Sequence, residues 1–164
     1  MTNEVLEREI SFSRDLLKGK IAEVIFEQMF RDCGKFTILP FGYEKTVPEV
    51  AQYQHLVEVQ RVLDNIRHAP DFIVITQNRS QVYLVEVKYR KSTTSHEIKT
   101  IADQIREHWD IAWIFLATPE GFFFDSINRV IASGGKIPEL PDSWIDAQTQ
   151  ARYRTLLNEF EKKS

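Results

Sequence analysis

Apolar residues recur at helical spacing near the start of the chain. Leu17, Ile21, Ile25 and Met29 share one stripe, which predicts an α-helix over residues 14–32. Ser13 offers an N-cap hydroxyl and Gly34 a left-handed stop. Residues 35–41, rich in β-branched and aromatic side chains and closed by Pro40 and Gly42, predict a strand. Over residues 48–66 the pattern serves two readings. Val50, Tyr53, Val57 and Leu63 suit a helix, whereas residues 56–59 alternate as a strand would; the helix is favoured.

Residues 72–76 and 82–88 are two short β-rich runs separated by the polar turn 77–80, the pattern of an antiparallel hairpin. Ile98, Ile101, Ile105 and Trp109 then predict a helix over 97–110. The unbroken apolar run 111–117 reads as a strand covered on both faces. Strand, helix and buried strand make a right-handed crossover that places 111–117 parallel to 82–88. Residues 122–127 predict an edge strand. A final amphipathic helix spans 143–161, capped by Asp142, with Ile145, Leu156, Leu157 and Phe160 toward the protein. The sum is an α/β domain around a central mixed sheet with flanking helices, including an inserted helix and a C-terminal one. No repeat or linker divides it, so residues 1–164 form one domain with a core over about 14–127 and a helical extension over about 142–162.

Composition narrows the class. At 164 residues and 43% hydrophobic the chain can bury a core unaided, and no apolar run approaches the ~20 residues of a membrane helix. The charged start lacks the apolar region of a secretory signal, so a cytoplasmic protein with no membrane partner is expected. One cysteine, Cys33, excludes an internal disulfide and a multi-thiolate zinc site; it reads as a small helix-end residue. The net charge of −3 argues against a nucleic-acid coat protein. Residues 79–106, however, carry six basic against three acidic side chains, a net of +3 that leaves −6 for the rest.

Candidate chemistry gathers at the hairpin. Side chains alternate along a strand, so Glu86 and Lys88 project from one face and Val87 from the other. The start of one hairpin strand lies beside the end of its partner, which brings Asp71 to the same end of the sheet. Of two carboxylates and an amine placed together, the carboxylates repel each other and every charge resists desolvation, a conflict that a hard cation resolves. Mg²⁺ takes oxygen ligands, so Asp71, Glu86, the Val87 carbonyl and a phosphate oxygen would complete a shell, with Lys88 orienting or deprotonating the attacking water. The plain alternative is a salt-bridge cluster at a sheet end.

Pro70-Asp71 and Glu86-Val87-Lys88, in this order and on a hairpin, resemble the PD-(D/E)xK nuclease superfamily. Upstream, Lys18-Gly19-Lys20-Ile21-Ala22-Glu23, followed by Gly34 and Phe36, is closest in pattern to the archaeal-type Holliday-junction resolvases. The likeness covers roughly residues 18–117. It implies a restriction-endonuclease-like core in the order αβββαβ and a magnesium-dependent endonuclease, with Mn²⁺ as substitute, acting on DNA that is branched or structured in the resolvase case. It also implies that Glu23 is a third metal-site carboxylate, in preference to Glu27 one turn along the same face, and that Gln104 on the crossover helix faces the site. Here the segment between the first strand and Pro70 is longer and more helical than in compact resolvases.

Lys18, Lys20, Arg90 and Lys91 are candidates for holding a nucleic-acid backbone. His55, His68, His96 and His108 have no metal-binding spacing, His68 being the one close to Asp71. Pro141-Asp142 precedes a helix and is a decoy for the motif. Trp113, residues 122–124, Trp144, Tyr153 and Phe160 read as packing residues or, for the last helix, a dimer face. An acidic chain of this size suggests a homodimer or a recruiting partner. The rival class is a non-catalytic nucleic-acid-binding or assembly module on the same fold. An unrelated α/β small-molecule enzyme lacks support, since the chain has neither a glycine-rich phosphate loop nor a Gly-x-Ser-x-Gly turn.

Overall fold

The computed structural model describes residues 3–42 and 57–163. Its elements are α1 (Asn3–Asp32), β1 (Phe36–Pro40), α2 (Val57–Arg67), β2 (Phe72–Thr76), β3 (Val82–Tyr89), α3 (Ser95–Arg106), β4 (Trp113–Thr118), β5 (Gly121–Ser126), α4 (Ile127–Ala132) and α5 (Ala147–Lys163). The five strands form one mixed sheet in the order β1-β2-β3-β4-β5. β1, β2 and β3 pair antiparallel, β3 and β4 parallel, and β4 and β5 antiparallel. The predicted crossover and edge strand are therefore present. The part of the 48–66 prediction before residue 57, including Val50, Tyr53 and His55, lies outside the described residues.

Each face of the sheet has its own core. Ala22, Ile25, Phe26, Met29 and Phe30 of α1 pack on Val74, Val85, Val87 and Phe115, joined by Tyr153 and Leu157 of α5. On the other face Ile98, Ile101 and Ala102 of α3 meet Ile114, Leu116, Ile127 and Val130. β4 lies between both layers, and every residue from Ile114 to Thr118 is buried, as its unbroken apolar run predicts.

Several boundaries differ from expectation. α1 begins at Asn3, not residue 14, so Ser13 is an interior helix residue rather than a cap. Residues 4–17 are all exposed, and Leu17 is 56% exposed instead of buried. Those turns extend past the core, where helix formers such as Glu4, Leu6, Glu7 and Arg8 suffice without a buried stripe. α3 starts two residues early, at Ser95, capped by Thr94, whose side chain accepts the Glu97 N–H, and it ends at Arg106. Ile111 consequently falls before β4 and is 68% exposed. Asp142 does not cap the last helix. Residues 141–145 make a separate turn in which the N–H groups of Trp144 and Ile145 donate to the Pro141 carbonyl. Asp146 takes the capping role by accepting the Thr149 N–H at 2.8 Å. That turn inserts Trp144 among Phe30, Phe36, Tyr83, Trp113 and Phe124. Tyr153 hydrogen-bonds Asp32 at the end of α1, while Leu156 and Phe160 point outward.

Candidate metal and nucleic-acid cleft

At the end of the sheet where β1 finishes and β2 begins, the hairpin strands separate. Their ladder closes at Phe72 and Val85. One step beyond, the Val87 N–H donates to Asp71 Oδ2 at 2.8 Å, so a side chain replaces the missing strand partner. The Asp71 carbonyl accepts from the N–H groups of Phe41 and Gly42 at 2.9 and 3.3 Å. Asp71 is thus fixed by its backbone and one carboxylate oxygen, with its motif neighbour Pro70 buried. Opposite it, Lys88 Nζ donates to Glu86 Oε1 at 2.9 Å, as two residues on one strand face must.

α1 runs along one side of this opening and α3 along the other. They border a cleft of about 1330 Å³ whose lining includes Glu23, Asp71, Glu86, Val87, Lys88 and Gln104. Lys18, Lys20, Arg90 and Lys91 line the same cleft, which thus gathers the candidate metal-site, catalytic and backbone-holding residues. Arg90 donates to the Tyr89 carbonyl at 2.7 Å. Lys18 pairs with Glu161 at 3.9 Å and Lys20 with Glu23 at 3.4 Å. Glu27 also lines the cleft but is tied to Arg31 at 2.9 Å, which in turn donates to the Ile38 carbonyl. Glu23 is the α1 carboxylate whose charge acts on both Asp71 and Glu86.

The electrostatics are unfavourable for bare carboxylates. Burial pushes the Asp71 carboxyl up to about 8, with the Glu86 and Glu23 charges adding to the shift and the Val87 N–H opposing it. Burial also raises Glu86, whose side chain is 16% exposed; Lys88 and, more weakly, His68 counteract, whereas Glu23 adds. Water reaches the group, but protein encloses most of its surroundings. Glu23 pairs with Lys20, whereas the more buried Asp71 and Glu86 share Lys88 and stay under-neutralised, and the three carboxylates' oxygens fit the donor set of a hard divalent cation.

The remaining candidates separate clearly. Cys33 is half-buried, its thiol donating to the Phe30 carbonyl at 3.2 Å. Phe122 and Phe124 are core residues and Trp113 packs against the core. Of the histidines, His68 and His108 stack beside Asp64. The spacing of Asp64 and His68, four residues apart across the end of α2, was a usable signal; nothing in the sequence connects His108 to them. Among the described residues no helix is long and apolar enough to cross a membrane. No protein-family model and no curated protein matches this chain.

Proposed function

We propose that the chain is a restriction-endonuclease-like hydrolase that cuts phosphodiester bonds in DNA with the help of Mg²⁺ or Mn²⁺. The observation that carries the reading is the meeting of Asp71, Glu86 and Lys88 at the separated end of the hairpin, beneath Glu23 and inside a cleft lined with basic residues. With α2 counted as an insertion between β1 and β2, the order α1, β1, β2, β3, α3, β4 is compatible with the one that the motif resemblance implies. Asp71, Glu86, Glu23 and the Val87 carbonyl would hold the ion, which supplies Lewis-acid activation of the phosphate and stabilises the departing oxygen.

The rest falls to the chain's own side chains. Lys88 Nζ lies beside Glu86 where it can orient the attacking water and offset charge on the pentavalent transition state. Attack forms one P–O bond as the bond to the leaving oxygen breaks, and the water's proton passes to solvent. Gln104 borders the cleft from α3, and Lys18, Lys20, Arg90 and Lys91 supply cations for neighbouring phosphates. Two of these lysines already have acidic partners, which favours help from a second copy or a recruiting protein.

The test is cleavage of plasmid, linear duplex, single strand, four-way junction and RNA with Mg²⁺ or Mn²⁺. Cutting by the wild type and at least ~100-fold less by folded Lys88→Ala is expected. Equal cutting by the two proteins refutes the assignment. No cutting, together with no thermal stabilisation by either ion, selects the non-catalytic binding or assembly module.

A further inference from the structure

The end of α2 meets the turns that follow α3 at a cluster on the edge of the cleft, whose lining His68 shares with the carboxylates. Asp64 lies in the last turn of α2 and His68 just beyond it, while His108 comes from the segment between α3 and β4. The two imidazoles stack with centroids 4.0 Å apart and planes 10° from parallel. One carboxylate serves both rings, Asp64 Oδ1 lying 3.8 Å from His68 Nδ1 and Oδ2 4.0 Å from His108 Nδ1. One ligand atom from each of the three residues falls within 4.8 Å of the others. Two more oxygens converge here: the Asp64 carbonyl is 2.7 Å from His68 Nδ1, and Asn65 Oδ1 is 3.0 Å from His108 Nδ1.

We infer that Asp64, His68 and His108 form a second cation site at the edge of the cleft, selective for a borderline transition ion of the Zn²⁺ class and sharing no ligand with the carboxylate centre. Two imidazole nitrogens and a carboxylate oxygen suit Zn²⁺, Co²⁺ or Ni²⁺, whereas Mg²⁺ prefers oxygen alone. Ligand atoms bonded to Zn²⁺ at about 2.0–2.1 Å in a tetrahedron stand about 3.4 Å apart, so the cluster needs to contract by roughly an ångström. Asp64 and His68 are exposed and can make that movement around the less exposed His108. His68 exchanges its hydrogen bond to the Asp64 carbonyl for the ion, leaving the fourth position to water or to that carbonyl.

Such an ion joins two segments that already touch, since Trp109 Nε1 donates to the Asn65 carbonyl at 3.0 Å. From Asp64 the chain runs through His68, Ala69 and Pro70 directly into Asp71. The ion therefore acts as a clip that holds the approach to the carboxylate centre against the end of α3. It does so whether or not the cleft hydrolyses DNA.

Titrating the metal-stripped full chain with Co²⁺ and Zn²⁺ tests this, reading the visible ligand-field absorption of four-coordinate Co²⁺ and the thermal midpoint with Zn²⁺. Wild type is expected to take one equivalent at this site and to gain in midpoint. Both signals persist in the Asp71→Asn/Glu86→Gln double variant, which disables the carboxylate centre. His68→Gln and His108→Gln each weaken binding by at least ~100-fold. His68 is half exposed, so its variant keeps a metal-free midpoint close to wild type even if His108→Gln does not fold. Lack of saturable uptake overturns the inference. So does Co²⁺ uptake that survives His68→Gln but vanishes in the double variant, which would put the ion among the carboxylates.

Discussion

Replacing Glu86 by Gln is expected to stabilise the metal-free protein at about pH 8, the reverse of the usual effect of altering a partly buried ion pair. Asp71 and Glu86 both have carboxyls raised by burial and by like charge, Asp71 to about 8. A carboxyl raised on folding contributes stability in full below its unfolded range, near pH 4. That contribution is lost as pH rises through the folded value, because the folded chain must then ionise a group that it holds better protonated. Each such group loses at most about 1.4 kcal/mol per pH decade. The cleft is open to water and salt, and the two sites share their repulsion, so the gain for Glu86→Gln is nearer 1–2 kcal/mol. For a chain of this length that corresponds to roughly 3–6 °C.

The opposing loss is smaller. Glu86→Gln removes the 2.9 Å partner of Lys88, but that side chain is 33% exposed and can turn to solvent, limiting the cost to less than about 1 kcal/mol. The assay is the thermal midpoint of wild type and variant in chelator from about pH 5 to 9, repeated with Mn²⁺. The variant-minus-wild-type difference should grow with pH in chelator and reverse in Mn²⁺, which stabilises the wild type alone. A variant less stable than wild type at every pH, with a difference that does not change with pH, would refute the charge argument.

Three further outcomes follow from the same structure. Gly135→Ala should lose about 3 kcal/mol or more in urea unfolding, since φ is +97° and a Cβ would lie 1.8 Å from the Ser95 carbonyl oxygen, whereas Gly134→Ala, at φ +77° with no atom within 4 Å, should lose only about 1 kcal/mol. Phe26→Ala, which empties a fully buried site against Phe30, Phe72 and Phe115, should lose about 3–5 kcal/mol in the same measurement. Binding of a short duplex should weaken with salt at a log–log slope between about −2 and −4, because Arg90 and Lys91, with Lys18 and Lys20 at most, offer two to four phosphate contacts. A slope near −8 would mean that a much larger surface, or a second copy, carries the contacts.

The sheet and its motif residues were legible because their signals are local. The hairpin follows from two β-rich runs around a polar turn, and the placement of Asp71, Glu86 and Lys88 at one end follows from strand alternation and the hairpin register. Periodicity also identified the inward face of α3 and, on α5, Leu157 alone of the predicted stripe, since it cannot say how far a neighbour extends. Leu17, Leu156 and Phe160 keep the spacing of a buried stripe yet stay at least 40% exposed, while Phe26 and Phe30, also on α1, fill the core. Asp142 and Asp146 are both plausible caps by residue type. Trp144 decides between them, because seating its ring against Phe36 requires an extra turn before the helix starts. The pairing of His68 with His108 depends on how two segments dock across forty residues of chain, and no local pattern carries that information.

The charges in the cleft bear on the choice between catalysis and simple binding. A surface evolved only to hold phosphates gains from lysine and arginine and loses from every carboxylate facing the ligand. Here Glu23, Asp71 and Glu86 line the space that a phosphate would enter, the last two raised by burial, with Lys88 beside Glu86 and Lys20 beside Glu23. The arrangement repels an anion and also destabilises the empty protein. Both penalties disappear when a divalent cation stands between the carboxylates and the phosphate, since one ion neutralises the first and attracts the second. A binding module has no need for that intermediary, whereas a metal-dependent hydrolase depends on it. The cost of Asp71 and Glu86 to the metal-free fold therefore favours the catalytic reading over the binding one.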